Sequence, residues 1–436
     1  MMAAGVVGSD HEAGEWDAVI VGASLAGCSA AISLAQAGAR VALVERRPDP
    51  AAFKRICGHF VHASALPALE RLGLLERVAD AGAARTRLRV WARWGWLPQP
   101  KGTALPPAVN IRRELLDPLV RAAAADLPGV DLLAGYSVES LIADGDRIVG
   151  VEARIRDGRT VRLRGRLVVG ADGRASPVAK LAGIAARKAP HGRFSYAAYY
   201  DEHGAGDPRV SEIWMTDPQW AARFPTDGGL TMYACMPTRD RLPEFKRDLP
   251  GALRSTIGAL PDAPPIDAAE RMAPVMGKID MPNVWRGPIA PGLALVGDAA
   301  LATDPLAGVG CGWAFEGGVR LGDALAPALL GSEPLERGLA RYRRRHRRAL
   351  ALHARLIHDY ATGRPMGLPE RTLLAAAARD ERVAGGLHAF AARAVAPERM
   401  IPTVARAVAV NARHALNARL RQPHGPRNDA AISRSA

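Results

Sequence analysis

Short apolar runs recur at 17–21, 41–45 and 166–169, the first and third leading into small residues, and read as buried strands. Ala18-Val19-Ile20-Val21 leads into Gly22-Ala23-Ser24-Leu25-Ala26-Gly27, and an Ala-rich pattern over 28–37 then predicts a helix closed by Gly38. Val41 to Glu45 follows as the second strand. Leu66, Leu69, Leu72 and Leu75 share one face of a helix predicted over 64–79, with a strand at 88–97 and a helix at 114–125. Segments 138–141, 148–152 and 160–163 form hairpin strands turned at Asp144-Gly145 and Asp157-Gly158. Between 194 and 285 aromatic residues gather on a β-type alternation broken by Pro and Gly, which predicts an inserted antiparallel sheet. From Leu335 onward the period is helical.

A chain of 436 residues with 48% hydrophobic content can bury a large core in two joined domains. Its net charge of +14 raises the question of anionic partners. No Lys or Arg precedes Arg40, whereas 341–348 is densely cationic; with no recognition module beside it, this stretch is expected to be a solvated helix face and no nucleic-acid partner is expected. Cys28, Cys57, Cys235 and Cys311 lie far apart, with no CxxC or HExxH, so neither a metal nor a disulfide framework is expected. The first residues lack a basic n-region, and no run of about 18 apolar residues occurs, so the expected setting is cytoplasmic. The basic, amphipathic pattern over 404–420 suits either peripheral membrane contact or a helix packed back on the first domain, the second being the expectation.

Three small-residue motifs each follow a strand: Gly22 to Gly27, Gly170-Ala171-Asp172-Gly173, and Gly297-Asp298 running through Pro305 to Gly308-Val309-Gly310. The first suits a pyrophosphate approaching backbone N–H groups at a helix N-terminus, although Ser24 replaces the middle glycine of GxGxxG. Glu45, about 20 residues on, is placed to bind ribose hydroxyls and to repel a 2′-phosphate. The three together point to FAD. No second strand–GxGxxG–helix unit follows, so any NAD(P)H is a transient co-substrate.

This set of motifs resembles the para-hydroxybenzoate-hydroxylase-like FAD superfamily over residues 17–330. That group contains class A flavoprotein monooxygenases, geranylgeranyl-reductase-like enzymes and flavin-dependent halogenases. The implied fold is α/β: a GR2-type, Rossmann-like FAD-binding domain with an inserted mixed or antiparallel substrate sheet and a helical C-terminal region. The expected boundaries are a disordered leader over 1–15, the FAD domain over 16–82, 105–185 and 287–330, the sheet domain over 83–104 and 186–286, helices over 331–422, and a disordered tail over 423–436. The resemblance implies FAD contacts at Gly22, Ala23, Ser24, Leu25, Ala26, Gly27, Glu45, Arg46, Val138, Asp172, Gly297, Pro305, Gly308, Val309 and Gly310. Asp298 corresponds to the aspartate on the ribityl chain, and Arg113, in an R-x-x-[FL]-D pattern, to an arginine near the pyrophosphate. Arg55, Cys57 and His59 are candidate reactive groups, with His62 a further acid–base candidate; Cys57 also reads as a small residue packed beside the cofactor.

The implied activity is oxygenation of an aromatic or polycyclic small molecule with NAD(P)H and O2 through a flavin hydroperoxide, in specialised metabolism. The alternative is a reductase of prenyl or other isolated double bonds, which Cys57-Gly58 suggests but which Tyr233-Ala234-Cys235-Met236-Pro237 fits poorly. Trp94-Gly95-Trp96-Leu97-Pro98 falls one residue short of the halogenase W-x-W-x-I-P.

Overall fold

A computed structural model describes residues 15–99 and 105–420. The expected tail and nearly all of the expected leader lie outside the described residues. Trp16–Val21 is the centre of a parallel sheet, paired with Val41–Glu45 on one side and with Thr160–Gly170 on the other. Val130–Ala134 and Leu293–Leu295 extend it in parallel on either flank. The strands at its centre are apolar on both faces, as a sheet covered on both sides requires. The hairpin strands Ser137–Asp144 and Arg147–Arg154 run into the long Thr160–Gly170 strand.

Two helices define the packing under the first and third motifs. Leu25–Gln36 lies against Gly310–Leu329, and the approach is closed by small residues. A Cβ on Gly318 would stand 2.4 Å from Ser29 Cβ, and one on Gly322 would stand 2.1 Å from Ser33 Oγ. The cationic helix Leu335–Tyr360 packs on the outside, burying Tyr342, His346 and Leu350 at helical spacing while its arginines at 343–345, 347 and 348 face solvent. Tyr342 donates its hydroxyl to Leu295 O at 2.8 Å, fixing this helix to the central sheet.

The second sheet is mixed. Ser195–Asp201, Leu230–Met236, Trp220–Pro225 and Val210–Met215 pair antiparallel in that order, and Val210–Met215 then pairs parallel with Ala84–Ala92. Trp285, expected in this sheet, belongs instead to a three-stranded sheet formed by 186–189, 283–286 and 301–302. The helix expected over 64–79 is two helices, Leu66–Arg71 and Leu75–Asp80, because the chain turns at Gly73 with φ +67°. The strand expected over 88–97 ends at Ala92 and doubles back into Gly95–Trp96, with Gly95 at φ +100°.

The last helix, Ile401–Leu420, does not return to the first domain's parallel sheet. It packs on Leu368–Ala377 and Glu381–Ala391 through buried Ala407 and an Arg406–Asp380 ion pair of 2.6 Å. Its exposed apolar residues are Ile401, Val404, Val408, Leu416 and Leu420. Among the described residues no helix is long and apolar enough to cross a membrane.

Candidate functional site

At Gly22 and Gly27 of the first motif the backbone leaves no room for a side chain. Gly22 has φ +107° and donates to Val44 O at 2.7 Å. A Cβ on Gly27 would stand 1.8 Å from Gly22 O, so only glycine lets the helix start this close to the strand end. Leu25 is buried in the core, and a Cβ on Gly297 would lie 2.6 Å from Ala26 Cβ, which puts the first and third motifs in contact. Glu45 is buried at the end of its strand, its carboxylate accepting from Ala23 N–H and Arg47 N–H, both at 3.0 Å. Arg46 beside it is exposed.

Arg113 is no solvated helix-start arginine. It is buried, and joins three segments: Nη2 donates to Ser24 Oγ at 2.9 Å, Nη1 to Cys57 Sγ at 3.4 Å, and Nε to Asp117 Oδ1 at 2.9 Å. Asp117 in turn accepts from Lys54 N–H at 2.8 Å. The i,i+4 spacing puts this ion pair on one helix face, which gives the Arg-x-x-Leu-Asp pattern a structural reason.

One cavity of about 400 Å³ gathers residues that lie far apart in sequence. Arg55, Cys57, His59, Asp298, Pro305, Gly308 and Gly310 all line it. Opposite them stand side chains of the mixed sheet, among them Ile213, Trp220, Phe224 and Met232. The Pro305 turn is pinned from below, since Asp304 accepts from Leu306 N–H at 2.8 Å and pairs with His191 at 2.9 Å. Gly308, at φ +61°, then turns the chain into the Gly310–Leu329 helix, whose first turn faces the cavity. Val309, the residue before that helix, is buried.

The electrostatics of the cavity wall are uneven. Lys54 Nζ stands 3.1 Å from Asp298 Oδ2. Burial raises the Asp298 carboxyl, but Lys54 and then Arg174 outweigh it and hold the group below its usual range. His59 is buried at φ +39°, stacked on Tyr199, with both ring nitrogens unpartnered. Burial takes its pKa down to about 4, and that of His62 also to about 4, so both rings are neutral at pH 7. His62 Nε2 is spent on Ala307 O at 2.8 Å.

Cys57 and Cys311 are free thiols with their Sγ atoms 3.6 Å apart. The hydrogen bond from Cys311, aided by Arg113 and Lys54 against burial, holds Cys57 well below the usual thiol range, while Cys311 is pushed above it. Iodoacetamide at pH 7 is therefore expected to label Cys57 first. Cys28 and Cys235, pushed by burial up to about 12, should resist. Peptide mapping by mass spectrometry checks this, and equal labelling of Cys57 and Cys235 contradicts it.

The first motif from Gly22 to Gly27, Glu45, Arg46, Arg113, Gly297 and Val309 lie outside the cavity lining, as do Val138 and Asp172. Val138 sits on the hairpin strand opposite Ala153, packed against the buried cluster that holds Val19, Val151 and Val168. Asp172 spends its carboxylate on Ser176 Oγ at 2.6 Å and Val178 N–H at 2.8 Å, at the start of the Pro177–Leu181 helix. Lys54, Asp117, Arg174, His191 and Asp304 had no role in the sequence reading. Asp117 was visible within the arginine motif; His191 and Asp304, 113 positions apart, carried no signal.

These small-residue turns, in this order on this sheet, define a flavin-binding fold. Residues 15–236 match the family model described as an FAD binding domain, and the chain belongs to that family, as an FAD-dependent oxidoreductase. A kynurenine 3-monooxygenase of Salinispora tropica is 31% identical over 70% of this chain and 72% of that protein. A digeranylgeranylglycerophospholipid reductase 1 of Methanopyrus kandleri is 29% identical over 76% of this chain and 86% of that protein. The crystal structure of p-nitrophenol 4-monooxygenase from Pseudomonas putida DLL-E4 has the same fold, with a TM-score of 0.71 at 20% identity, covering 87% of this chain and 98% of that one.

Proposed function

We propose that this protein is a monooxygenase that uses NAD(P)H and O2 to oxygenate an aromatic or polycyclic small molecule held in the 400 Å³ cavity. The observation that carries this reading is the cavity's two-sided construction. The Lys54–His59 and Pro305–Cys311 segments form one wall, and apolar and aromatic side chains of the mixed sheet form the other. Relatives named for kynurenine and p-nitrophenol oxygenation support the substrate class.

FAD, when bound, supplies the electron relay between reduced nicotinamide and oxygen. The glycine-lined turn at Gly22–Gly27 would take its pyrophosphate, with Arg113 adding positive charge nearby through Ser24. Glu45 keeps acceptor capacity for ribose hydroxyls beyond its bonds to Ala23 and Arg47. Asp298 is ionised and oriented by Lys54 to accept from the ribityl chain. The N–H groups at Val309 and Gly310 would face the flavin's pyrimidine edge, where negative charge is favoured by a helix start. The neutral His59 ring, with no partner of its own, hydrogen-bonds the substrate.

His59→Phe keeps a ring against Tyr199 and deletes both nitrogens. It is expected to raise KM about tenfold with FAD content unchanged, and an unaltered KM would remove His59 from the substrate site. The reaction itself is tested by anaerobic reduction with NADH and NADPH, followed by turnover under 18O2. Label in the product supports oxygenation. A saturated, unlabelled product establishes the second reading, double-bond reduction, which the Cys57 thiol in the cavity wall and the reductase relatives favour.

A further inference from the structure

Behind the flavin-side cavity lies a second, larger chamber of about 790 Å³. Its walls come from two parts of the chain that the sequence does not connect. Val90 and Met215 belong to the mixed sheet; Leu356, Leu373, Leu387 and Phe390 belong to three of the C-terminal helices. The two spaces adjoin, with His62, Ile213, Trp220, Leu306 and Ala307 lining both. A molecule reaching from one into the other would pass these shared side chains.

The chamber wall is mostly apolar, with Asp359, Arg364, Glu370 and Arg393 as its charged members, and the fold leaves some of its apolar side chains uncovered: Leu356, for example, is 46% exposed. An aqueous entrance has no need of such a surface, and leaving it wet sacrifices the burial that those side chains would otherwise gain. The reacting-end cavity is the smaller of the two, so a substrate confined to it would leave the larger space without a role.

We infer that the chamber binds the hydrocarbon chain of an amphiphilic substrate whose reacting ring or double bond lies in the flavin-side cavity. The substrate class is therefore a ring or double-bond head joined to an extended aliphatic tail, rather than a compact ring alone. The C-terminal helices act as the tail-binding half of the active site. This rests on the proposed function only for the placement of the reacting end.

The test uses the full-length, FAD-loaded protein and a series of 4-n-alkylphenols from methyl to decyl, with binding read as a change in flavin absorbance. Kd is expected to fall about fourfold per methylene over the first several carbons. Leu373→Trp and Leu356→Trp each project bulk into the chamber from outside the flavin-side cavity. Either should weaken decylphenol at least tenfold and leave methylphenol unchanged; two variants guard against one failing to fold. A flat series, or a decyl gain that survives both substitutions, overturns the assignment. Product formation under 18O2, recorded on the same samples, separates the two claims. Chain-length-dependent binding without oxygenation keeps the tail chamber and removes the monooxygenase reading; oxygenation with a flat series does the reverse.

Discussion

Alanine in place of Gly27 is expected to give a folded protein that purifies without its yellow colour. The added Cβ would sit 1.8 Å from Gly22 O, far inside any real contact. Gly22 cannot move aside cheaply, because it is held at φ +107° by its own N–H bond to Val44 O, and even a Cβ on it would stand only 2.7 Å from Ala171 O. The strain is relieved by shifting the start of the Leu25–Gln36 helix, and with it the N–H groups that would meet the pyrophosphate. A displacement on the order of 1 Å at such a site costs about a hundredfold. Flavin absorbance per protein, and FAD titration of the apoprotein monitored by flavin fluorescence, measure the effect, with circular dichroism as the folding control. Full flavin content in Gly27→Ala would show that the pyrophosphate does not sit on this turn.

The largest effect on stability is expected far from the cofactor. Arg223 is buried inside the mixed sheet, donating from Nε to Glu202 Oε1 at 2.7 Å, while Tyr233 donates its hydroxyl to the same oxygen at 2.5 Å. Removing the carboxylate leaves the buried guanidinium with two backbone carbonyls and only the more distant Glu212 carboxylate, 3.8 Å away. Glu202→Ala should therefore lower unfolding free energy by about 3–5 kcal/mol, measured by urea titration. The double variant Glu202→Met/Arg223→Met should recover much of that loss, since the cost lies in the unpaired charge rather than in the pair's own worth. The pH dependence has a definite sign. Burial alone would raise Glu202, but the Arg223 and Tyr233 hydrogen bonds outweigh it and hold the folded-state pKa below its ordinary value. The contribution is fully present above the unfolded pKa of about 4.3 and disappears as pH falls through the folded value. The gap between wild type and Glu202→Gln should narrow accordingly in acid. A constant gap down to the acid transition contradicts this account.

The cofactor side of the fold was legible because its chemistry is local. A strand, a small-residue turn and a helix lie within a few residues of one another, so Gly22, Glu45 and Gly297 announce themselves in a single pass. The remainder depends on closure between distant segments. Arg113 could be named from its motif, but its hold on both Ser24 and Cys57 depends on how residues 54–59 fold back over the helix. His59 is a plain residue in sequence; its buried ring and unpartnered nitrogens arise only when Tyr199 is brought beside it. The helical period after Leu335 predicts helices and not their destination. Residues 404–420 were expected against the first domain, yet Ala407 packs among the last helices instead. No local pattern records which of several apolar faces a helix will choose.

The glycine–serine seam between the Leu25–Gln36 and Gly310–Leu329 helices has a consequence for how such a protein can vary. Two turns almost 290 positions apart are mounted on one stiff bracket, since each begins a helix of that seam. Their spacing is set where no substrate reaches, by contacts that tolerate not even one added methyl. The mixed sheet and the last helices share none of that seam. Their side chains can be exchanged for a wider, narrower or longer guest without disturbing the distance between the two turns.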